Sequence, residues 1–346
     1  MMEYISTNPS GRRQSRASAA DVAKAAGVSV SAVSRAFTPG ASISARMRNR
    51  VMEAAEKLDY LPNVLARSLM TQRTHMIGVI LANFDNPLYL TALFHFTRVL
   101  QQRGLRMMLL NVSIDEDLDA MARLVLQYGV DGLVVSAGAI SPLLTEQCIN
   151  RRIPLVAFAR RPRRSKLHVV CADNVAGGRL AARQLIDAGC RSFGFLGGPR
   201  TASTSEERLK GFQAELSEAG FSVQRREHAD TYTYNAGKVA AGRLLSGSLR
   251  PEAIFCANDM IAFGALDFAR FEMGLSVPQD LSVIGFDDVS LSAANSFDLS
   301  TIRAPIEEMV IETIDILGRQ INAWSGDWES RLFGCTYVER GTLRRR

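Results

Sequence analysis

A repeated alternation of apolar and amphipathic segments constrains the fold of this chain more than any other feature. The apolar segments Met76–Ala82 and Gly132–Ser136 have the length of β-strands and contain almost no polar residues. Between them, Pro87–Arg103 is long enough for a helix and ends before Gly104. Strands that are covered by helices on both faces have this composition, and the alternation predicts a doubly wound parallel sheet.

The alternation runs twice along the chain. In the first run the predicted strands are Met76–Ala82, Arg106–Asn111, Gly132–Ser136 and Pro154–Ala159, and the predicted helices are Pro87–Arg103, Leu118–Tyr128 and Pro142–Asn150. In the second run, after Asp173, the predicted helices are Ala176–Ala188, Glu206–Ala219, Gly237–Leu245 and Ile261–Arg270, and the predicted strands are Ser192–Leu196, Ala253–Ala257 and Ser282–Phe286. Two such sheets predict two α/β lobes, with ligands bound beyond the carboxyl ends of the strands.

The charge of the chain is concentrated at its N-terminal end. Residues 1–73 carry 11 Lys and Arg against 5 Asp and Glu, a net charge of +6, which equals the net charge of the whole chain. A basic region in front of a neutral one indicates a polyanionic partner for the basic region. A disordered basic tail would give the same charge, so the arrangement within this region decides between the two.

Two short helices joined by a tight turn are predicted in this basic region. Ser18 can cap the helix Ala19–Ala26, and Gly27 suits the left-handed residue that ends it. Ser29 can then cap a second helix, Val30–Phe37. The pair is either a helix-turn-helix, whose second helix enters the major groove of DNA, or an ordinary helical hairpin.

A third helix is predicted at Ala45–Leu58, with Ser44 as its cap. Arg46, Arg48 and Arg50 crowd its first two turns. Because the start of a helix does not favour cations, these arginines indicate external phosphates. The alternative is a solvated charged face.

The motifs of residues 18–70 carry a family resemblance. They are Asp21-Val22-Ala23, Ala26-Gly27-Val28-Ser29, Val33-Ser34-Arg35, Asp59-Tyr60-Leu61-Pro62-Asn63 and Asn63-x-x-Ala66-Arg67-x-Leu69. With them the chain resembles the lactose-repressor (LacI) family of bacterial transcription regulators. The resemblance implies that Val30, Ser31 and Arg35 read bases in the major groove. It implies that these residues lie against the DNA backbone: Ser18, Ser29, Ser34, Thr38, Ser44 and Asn63.

The predicted base-reading residues differ in their ability to form hydrogen bonds with bases. The guanidinium fork of Arg35 matches guanine O6 and N7, whereas Val30 can only touch methyl groups or fill space. Arg46 is expected at a phosphate.

The segment Asn63–Met70 is predicted to be a hinge helix, which is too short to be stable alone in water. The resemblance implies that it folds on DNA, pairs with its twin in a dimer and places Ala66 and Leu69 at the minor groove. An exposed leucine beside Arg67 and Arg73 fits a minor-groove wedge. The alternative is a flexible linker.

The resemblance continues through the second region, whose motifs include Gly197-Gly198-Pro199, Arg208-x-x-Gly211-Phe212, Ala257-Asn258-Asp259 and Val283-Ile284-Gly285-Phe286-Asp287-Asp288. They are similar to the family's effector domain, which shares its fold with periplasmic sugar-binding proteins. The predicted fold is therefore an all-α helix-turn-helix domain followed by a two-lobed α/β domain. Arg303–Pro305 is predicted to be a strand that crosses between the lobes.

The predicted boundaries are a basic tail at 1–17, a DNA-binding domain at 18–61, a hinge at 62–73 and an effector-binding and dimerisation domain at 74–346. Within the last, the first lobe is placed at about 74–172 and 306–333, and the second at about 173–305 and 334–346.

Effector-binding residues are predicted at the strand ends. Asp287, Asn258 and Asp259 end two strands of the second run, and Arg208 lies early in a helix near them. Carboxylate, amide and guanidinium groups that converge on one cleft can bind hydroxyls or a carboxylate. The further candidates, several of them aromatic, are Tyr232, Tyr89, Asn86, Phe84 and Arg160. The alternative for Arg208 and Asp287 is a structural ion pair that closes the cleft.

The effector is predicted to be a sugar, a sugar acid or a sugar phosphate. Many sugar-binding members of the family carry Asp or Asn where this chain has Ala159, so one hydroxyl acceptor is missing, and Arg160 and Arg161 follow directly. These cations favour an anionic effector. The alternative is that Arg160 points to solvent and Ala159 leaves room for a larger neutral sugar.

Other classes of protein fit the sequence less well. The five cysteines are scattered and include no Cys-x-x-Cys pair, so no metal or disulfide is predicted. The four histidines show no grouping with a nucleophile, and no catalytic residue or cofactor is predicted. No membrane-spanning segment or signal peptide is evident, which disfavours a periplasmic binding protein.

The expected protein is thus a cytoplasmic, nucleoid-associated homodimer that binds a palindromic operator in double-stranded DNA, because one helix-turn-helix reads only a few base pairs.

Overall fold

The computed structural model describes residues 17–38, 40–61, 68, 73–82, 86–112, 118–136, 140–162, 166–247 and 249–345. The chain divides into two compact units, Met1–Gln72, here called the head, and Arg73–Arg346, here called the body. No helix in the described part of the chain is long and apolar enough to cross a membrane.

The described part of the head contains three helices, α1 (Ala19–Ala26), α2 (Val30–Ala36) and α3 (Ala45–Lys57). Each starts at a serine whose hydroxyl accepts a backbone N–H bond, namely Ser18, Ser29 and Ser44. Ser18 also forms a reciprocal capping box with Asp21, and Gly27 ends α1 with a φ of 60°. Side chains of all three helices, among them Val22, Val33 and Val51, form one small core.

The body contains two six-stranded sheets. The first has the strand order β11-β5-β4-β3-β1-β2 and the second β12-β10-β9-β8-β6-β7. The strands are β1 (Met76–Ala82), β2 (Arg106–Val112), β3 (Gly132–Ser136), β4 (Leu155–Phe158), β5 (His168–Ala172), β6 (Phe193–Gly197), β7 (Val223–His228), β8 (Ala253–Cys256), β9 (Ser282–Asp287), β10 (Thr301–Arg303), β11 (Ser330–Phe333) and β12 (Thr336–Val338). All the pairings are parallel except that of β10 with β12.

Helices cover both sheets of the body. They are α4 (Pro87–Gln102), α5 (Leu118–Gln127), α6 (Pro142–Asn150), α7 (Asn174–Asp187), α8 (Ser203–Glu218), α9 (Tyr234–Leu245), α10 (Asp259–Asp267) and α11 (Ile306–Asn322). A short π-helical turn, Phe268–Glu272, follows α10. The chain passes between the lobes three times: after β5, after β10, and between β11 and β12. After β10 it returns to the first lobe, where α11 packs on α4 and on the first sheet.

Three strands, β5, β7 and β11, were not predicted from the sequence, whereas β12 lies within Gly334–Arg340, a strand-like segment of the sequence. The edge strand β7 reads Val-Gln-Arg-Arg-Glu-His, and its side chains are exposed or half-buried, so no apolar run marks it. The edge strand β11 is mostly exposed. The strand β5 is fully buried, but it begins with the polar residue His168, so its apolar run is only four residues long.

Two glycines set the position of the helix that carries Arg208. A Cβ atom on Gly178 of α7 would lie 2.0 Å from the carbonyl oxygen of Arg208 in α8. A Cβ atom on Gly211 of α8 would lie 1.9 Å from the carbonyl oxygen of Val175 in α7. The two helices therefore cross with their backbones in contact, which only glycine permits at these positions.

Candidate functional site

The head presents the predicted base-reading residues on one exposed side of α2. Val30 is 50% exposed, and Ser31 and Arg35 are exposed as well. At about 100° per residue, Val30, Ser31 and Arg35 span an arc of roughly 140°. Ala32, Val33 and Ala36 occupy the other side and are buried. The three predicted readers are thus free of any packing role in the head.

The serines that were predicted at the DNA backbone have local partners in the head. Besides their capping bonds, Ser29 and Ser31 hydrogen-bond to each other through their hydroxyls at 2.9 Å. Thr38 donates its hydroxyl hydrogen to the carbonyl oxygen of Ser34 at 2.9 Å. Capping by Ser18, Ser29 and Ser44 leaves other N–H groups of each first turn unbonded within the helix, and such groups can bind phosphate.

The three arginines of α3 do not share one role, so the expectation of external phosphates for all three needs correction. Arg48 donates to the carbonyl oxygen of Ala36, at the end of α2, at 2.5 Å. Arg50 donates to the carbonyl oxygen of Ala26, at the end of α1. Both cations satisfy carbonyl groups at the negative ends of helix dipoles. Arg46 is exposed and has no hydrogen bond to another described residue.

The body holds a small cavity of about 30 Å³ between its lobes, within a cleft of about 520 Å³ that includes open solvent. The residues that line it come from strand ends and helix starts on both sides, as expected for parallel sheets. They are Asn86, Leu88, Tyr89, Ala159, Arg160, Ala172, Asn174, Thr204, Arg208, Tyr232, Asn258, Asp287, Ala304, Ile306 and Met309.

Arg208 is held by the protein through most of its donors. Its Nε donates to Asn174 at 2.9 Å, and one terminal nitrogen donates to the carbonyl oxygen of Ala257. The other terminal nitrogen lies 3.5 Å from Asp287 Oδ1. The guanidinium also lies 3.5 Å from the ring centroid of Phe286, at cation–π distance. The structural ion pair and the cavity-lining position are therefore combined in one residue.

Asp287 connects the two lobes. Its carboxylate accepts a hydrogen bond from Asn86 Nδ2, of the first lobe, at 3.2 Å. Burial raises the pKa of Asp287, while Arg208 and Asn86 partly counteract the rise. Its backbone has a φ of 114°, a conformation that residues other than glycine rarely adopt. Ala159, at the end of β4, has a φ of 58°. Both strand ends are thus strained where they reach the cavity.

Arg160 lines the cavity, and its Nε is buried without a hydrogen-bond partner. Burial lowers the pKa of Arg160, but a hydrogen bond with Tyr89 and the proximity of Tyr89, Tyr232 and Cys171 more than offset it, so the pKa is raised overall. The next residue, Arg161, is exposed and donates to Ser330 at 3.2 Å. The two adjacent arginines therefore face different surroundings.

Asn258 and Asp259 have different positions, and the expectation for Asp259 is wrong. Asn258 caps α10, and its Nδ2 is buried without a partner at the cavity. Asp259 does not line the cavity. Its carboxylate accepts bonds from Val289 N, Ser292 Oγ and Thr301 Oγ1 at 2.9, 2.7 and 2.5 Å. Burial and the nearby Asp287 raise the pKa of Asp259 to about 7. It joins α10 to β10 and to the segment between β9 and β10.

Sequence reasoning missed several residues that line the cavity. Asn174 begins α7 directly after β5 and orients Arg208. Thr204 shares a hydrogen bond with the Tyr232 hydroxyl at 3.2 Å. A prediction of β5 would have placed Asn174 beyond a strand end. Ile306 and Met309 give no polar signal, and they line the cavity only because the chain returns to the first lobe.

Some predicted residues lie outside the described residues. They are Phe84 of the first lobe and Asn63, Ala66 and Leu69 of the hinge. Among the described residues no group of three or more His, Cys, Asp or Glu could hold a metal ion.

These features define a class of protein: a transcription regulator with a helix-turn-helix unit and a two-lobed ligand-binding unit. Residues 19–63 match the lacI family of bacterial regulatory proteins, and residues 182–343 match a periplasmic binding protein-like domain. The chain belongs to the lacI family.

Several curated relatives are similar over most of their length. The chain is 32% identical to the transcriptional regulator DegA of Bacillus subtilis, over 86% of this chain and 90% of the relative. It is 32% identical to the ribose operon repressor of Escherichia coli, over 87% and 92%. It is 33% identical to the transcriptional repressor PurR of Edwardsiella ictaluri, over 93% and 96%. These relatives are regulators of transcription rather than enzymes.

The fold is shared with solved structures of the family. A structure of the lac repressor dimer bound to operator and the anti-inducer ONPF has a TM-score of 0.85 and 23% identity, covering 95% of this chain and 99% of that one. A complex of the transcriptional regulator CelR with cellobiose has a TM-score of 0.71 and 24% identity, covering 94% and 100%.

Proposed function

We propose that this protein is a repressor that binds a palindromic operator as a homodimer and changes its operator affinity when a small metabolite occupies the body cavity. The metabolite is a sugar, a sugar acid or a sugar phosphate. The observation that carries the proposal is the pairing of an exposed, basic reading surface on α2 with a cavity between two lobes. The protein acts in the cytoplasm, at operator sites in the nucleoid.

The DNA-binding part of the proposal rests on the exposed side of α2. Arg35 donates two hydrogen bonds to guanine, and Val30 touches a thymine methyl group. Ser31 contacts a base edge, and Arg46 neutralises a phosphate. The capping serines and Thr38 lie against the backbone. In the hinge, Asn63 contacts the backbone, and Ala66 and Leu69 bind the minor groove.

The homodimer is supported by an apolar surface on the first lobe. Leu90 and Phe94 of α4 are four residues apart, so they share one helix face. They are 51% and 64% exposed. Exposed apolar residues of this size that lie side by side favour a contact with a second protein surface. We assign that surface to a second copy, because one helix-turn-helix reads only half of a palindrome.

The effector part of the proposal requires that the two lobes change their arrangement. A ligand can shift operator affinity only if it binds the two arrangements differently, and the coupling must be reciprocal. The bond between Asn86 and Asp287 is a contact between the lobes that a ligand would replace. The ligand contacts are assigned to Arg208, Asp287, Asn258, Tyr232, Tyr89, Asn86, Phe84 and Arg160.

Selection of bound sequences from random duplex DNA by the full chain tests the proposal. The expected result is a palindrome with two half-sites, bound by two chains as measured by sedimentation. A Phe94→Asp variant should shift the free protein toward monomers. Selection of an asymmetric site bound by a single chain would contradict the homodimer, and recovery of no preferred sequence would contradict operator binding.

A further inference from the structure

The cavity of the body contains more positive than negative charge. Its lining includes two arginines, Arg160 and Arg208, and one carboxylate, Asp287. Asp287 lies beside Arg208, at 3.5 Å. A second carboxylate nearby, Glu207, lies outside the lining and accepts a hydrogen bond from Asn174 at 2.9 Å. The charge of Arg160 is therefore not matched by a carboxylate of the cavity wall.

The cavity also contains hydrogen-bond donors without acceptors. Arg160 Nε and Asn258 Nδ2 are both buried and have no partner. A buried donor that lacks an acceptor costs free energy, and most such groups in folded proteins are paired. Asp287 Oδ1 has no hydrogen bond either, but it already faces the Arg208 cation. The two donors without partners would therefore be satisfied by a ligand with negatively charged acceptor atoms.

The end of β4 explains why this charge is left over. Ala159 lines the cavity directly before Arg160 and has a φ of 58°. Asp and Asn are favoured over Ala in this left-handed region because their short polar side chains can bond locally. A carboxylate at position 159 would be a neighbour of Arg160. With alanine at position 159, no carboxylate neutralises Arg160, and the backbone of Ala159 stays in the left-handed region without a local side-chain bond.

We propose that the effector of this protein is a small anion whose carboxylate or phosphate oxygen accepts a hydrogen bond from Arg160 Nε and whose hydroxyl groups bind Asp287 and Asn258. The inference rests on the proposed function of the cavity as the effector site. Arg208 holds Asp287 in place and contributes charge, since its own donors are largely bonded to the protein. Tyr89 and Tyr232 flank the anion.

The test compares three anions with their neutral partners in titrations of the full chain by calorimetry and thermal melting. The pairs are D-galacturonate with D-galactose, D-gluconate with D-glucose, and D-ribose 5-phosphate with D-ribose. Inorganic phosphate serves as a minimal probe. At least one anion should bind more tightly than its neutral partner, and the pairs separate a carboxylate from a phosphate.

Two pairs of variants assign the binding to Arg160. Arg160→Met keeps the apolar stem and should weaken the anion by roughly 10- to 100-fold, the range of a lost charge-assisted hydrogen bond. Arg161→Met, one residue away and exposed, should not weaken it. Ala159→Asp should weaken the anion at least about tenfold more than Ala159→Asn, since only the first neutralises Arg160.

The melting temperature without ligand provides a second readout. If Arg160 awaits a ligand, Arg160→Met removes a buried Nε–H group that has no partner together with a single hydrogen bond to Tyr89, so the free protein should melt close to the wild type. A purely structural arginine would give a lower melting temperature. The proposal is overturned if a neutral sugar binds and its anion does not, if Arg160→Met binds the anion as the wild type does, or if no anion stabilises the wild type more than Arg160→Met.

The outcomes also separate this inference from the proposed function. An anion that binds through Arg160 but leaves the affinity for the selected operator unchanged would contradict the function and keep the ligand class. A neutral sugar that alters operator affinity would contradict the ligand class and keep the function.

Discussion

The head and the body place their functional side chains in opposite environments. In the head, Val30 and Arg35 stand on the exposed side of α2, while other residues form its core and caps. In the body, Arg208 and Asp287 are both buried and bonded to the scaffold around them. Function and stability are therefore separable in the head and coupled in the body. Substitutions in the two units should differ accordingly.

The largest effect is expected where the body has no room for a side chain. Gly211→Ala would place a Cβ atom against the backbone of α7, so we expect the body to lose about 3 kcal/mol or more of stability. Gly318→Ala in α11 is the control, because no atom lies within 4 Å of its Cβ position, and it should stabilise by up to about 1 kcal/mol. Urea unfolding followed by tryptophan fluorescence reports on the body, which contains both Trp324 and Trp328. Equal effects of the two substitutions would contradict the close crossing of α7 and α8.

The next effect is the pH dependence of the body through Asp259. Burial raises its folded pKa to about 7, above the value of 3.8 for an unperturbed Asp. The stabilising protonation is complete below the lower value and is lost as the pH rises through the upper one. Stability should therefore fall by about 1.4 kcal/mol per pH unit across this window from this group. Asp259→Asn should remove that slope in urea unfolding measured at pH 4.5, 5.5 and 6.5, which lie inside the window.

The head should show the opposite sign and a weaker response. Hydrogen bonds from Ser18 lower the pKa of the exposed Asp21, so its contribution is present above the unfolded pKa and is lost as the pH falls. The control for the body is the dependence of its free energy of unfolding on pH. If the wild type and the Asp259→Asn variant show the same dependence, Asp259 does not titrate between its unfolded and folded pKa values.

A specific loss of DNA affinity is expected from the exposed side of α2. Arg35→Ala should cost about 1–3 kcal/mol on the selected operator, with little change on random DNA and no change in the melting of the head. Titrations by fluorescence anisotropy on both DNAs measure the difference. An equal loss on both DNAs would remove Arg35 from the base-reading residues.

The smallest effects should separate two arginines of α3. Arg48 bonds to the end of α2, so Arg48→Met should destabilise the head by about 1 kcal/mol. Arg46→Met should leave stability unchanged and reduce the log–log salt dependence of DNA binding by about one unit, if it neutralises one phosphate. Circular dichroism melting and titrations at several salt concentrations measure both. Identical behaviour of the two variants would contradict the distinction.

The fold could be predicted largely from local pattern. The bounds of α1, β1, β3 and α6 follow from caps, prolines and apolar runs that act within a few residues. Edge strands such as β7 have no such signal, because one side of an edge strand is open and its side chains are polar. The return of the chain to the first lobe at α11 depends on contacts between distant segments.

The sites show the same division. The position of Asp287 at a strand end follows from topology, and so does that of Asn258. The role of Asp259 could not be predicted from its position next to Asn258. Its carboxylate accepts three bonds, one from β10 and two from the segment between β9 and β10, and these contacts depend on the fold. The internal bonds of Arg48 and Arg50 depend on where α1 and α2 end in space, which the sequence of α3 does not contain.

The hydrogen bond between Asn86 and Asp287 has a kinetic consequence. It joins the two lobes at the cavity, so we expect a ligand to enter only after this bond has broken and the lobes have separated. The observed association rate should then stop rising with ligand concentration and level off at the rate of spontaneous opening. Asn86→Ala should raise this plateau, because it removes the bond without touching Arg160. Stopped-flow measurements of ligand binding to the wild type and to the Asn86→Ala variant would then give the rate at which the cleft opens.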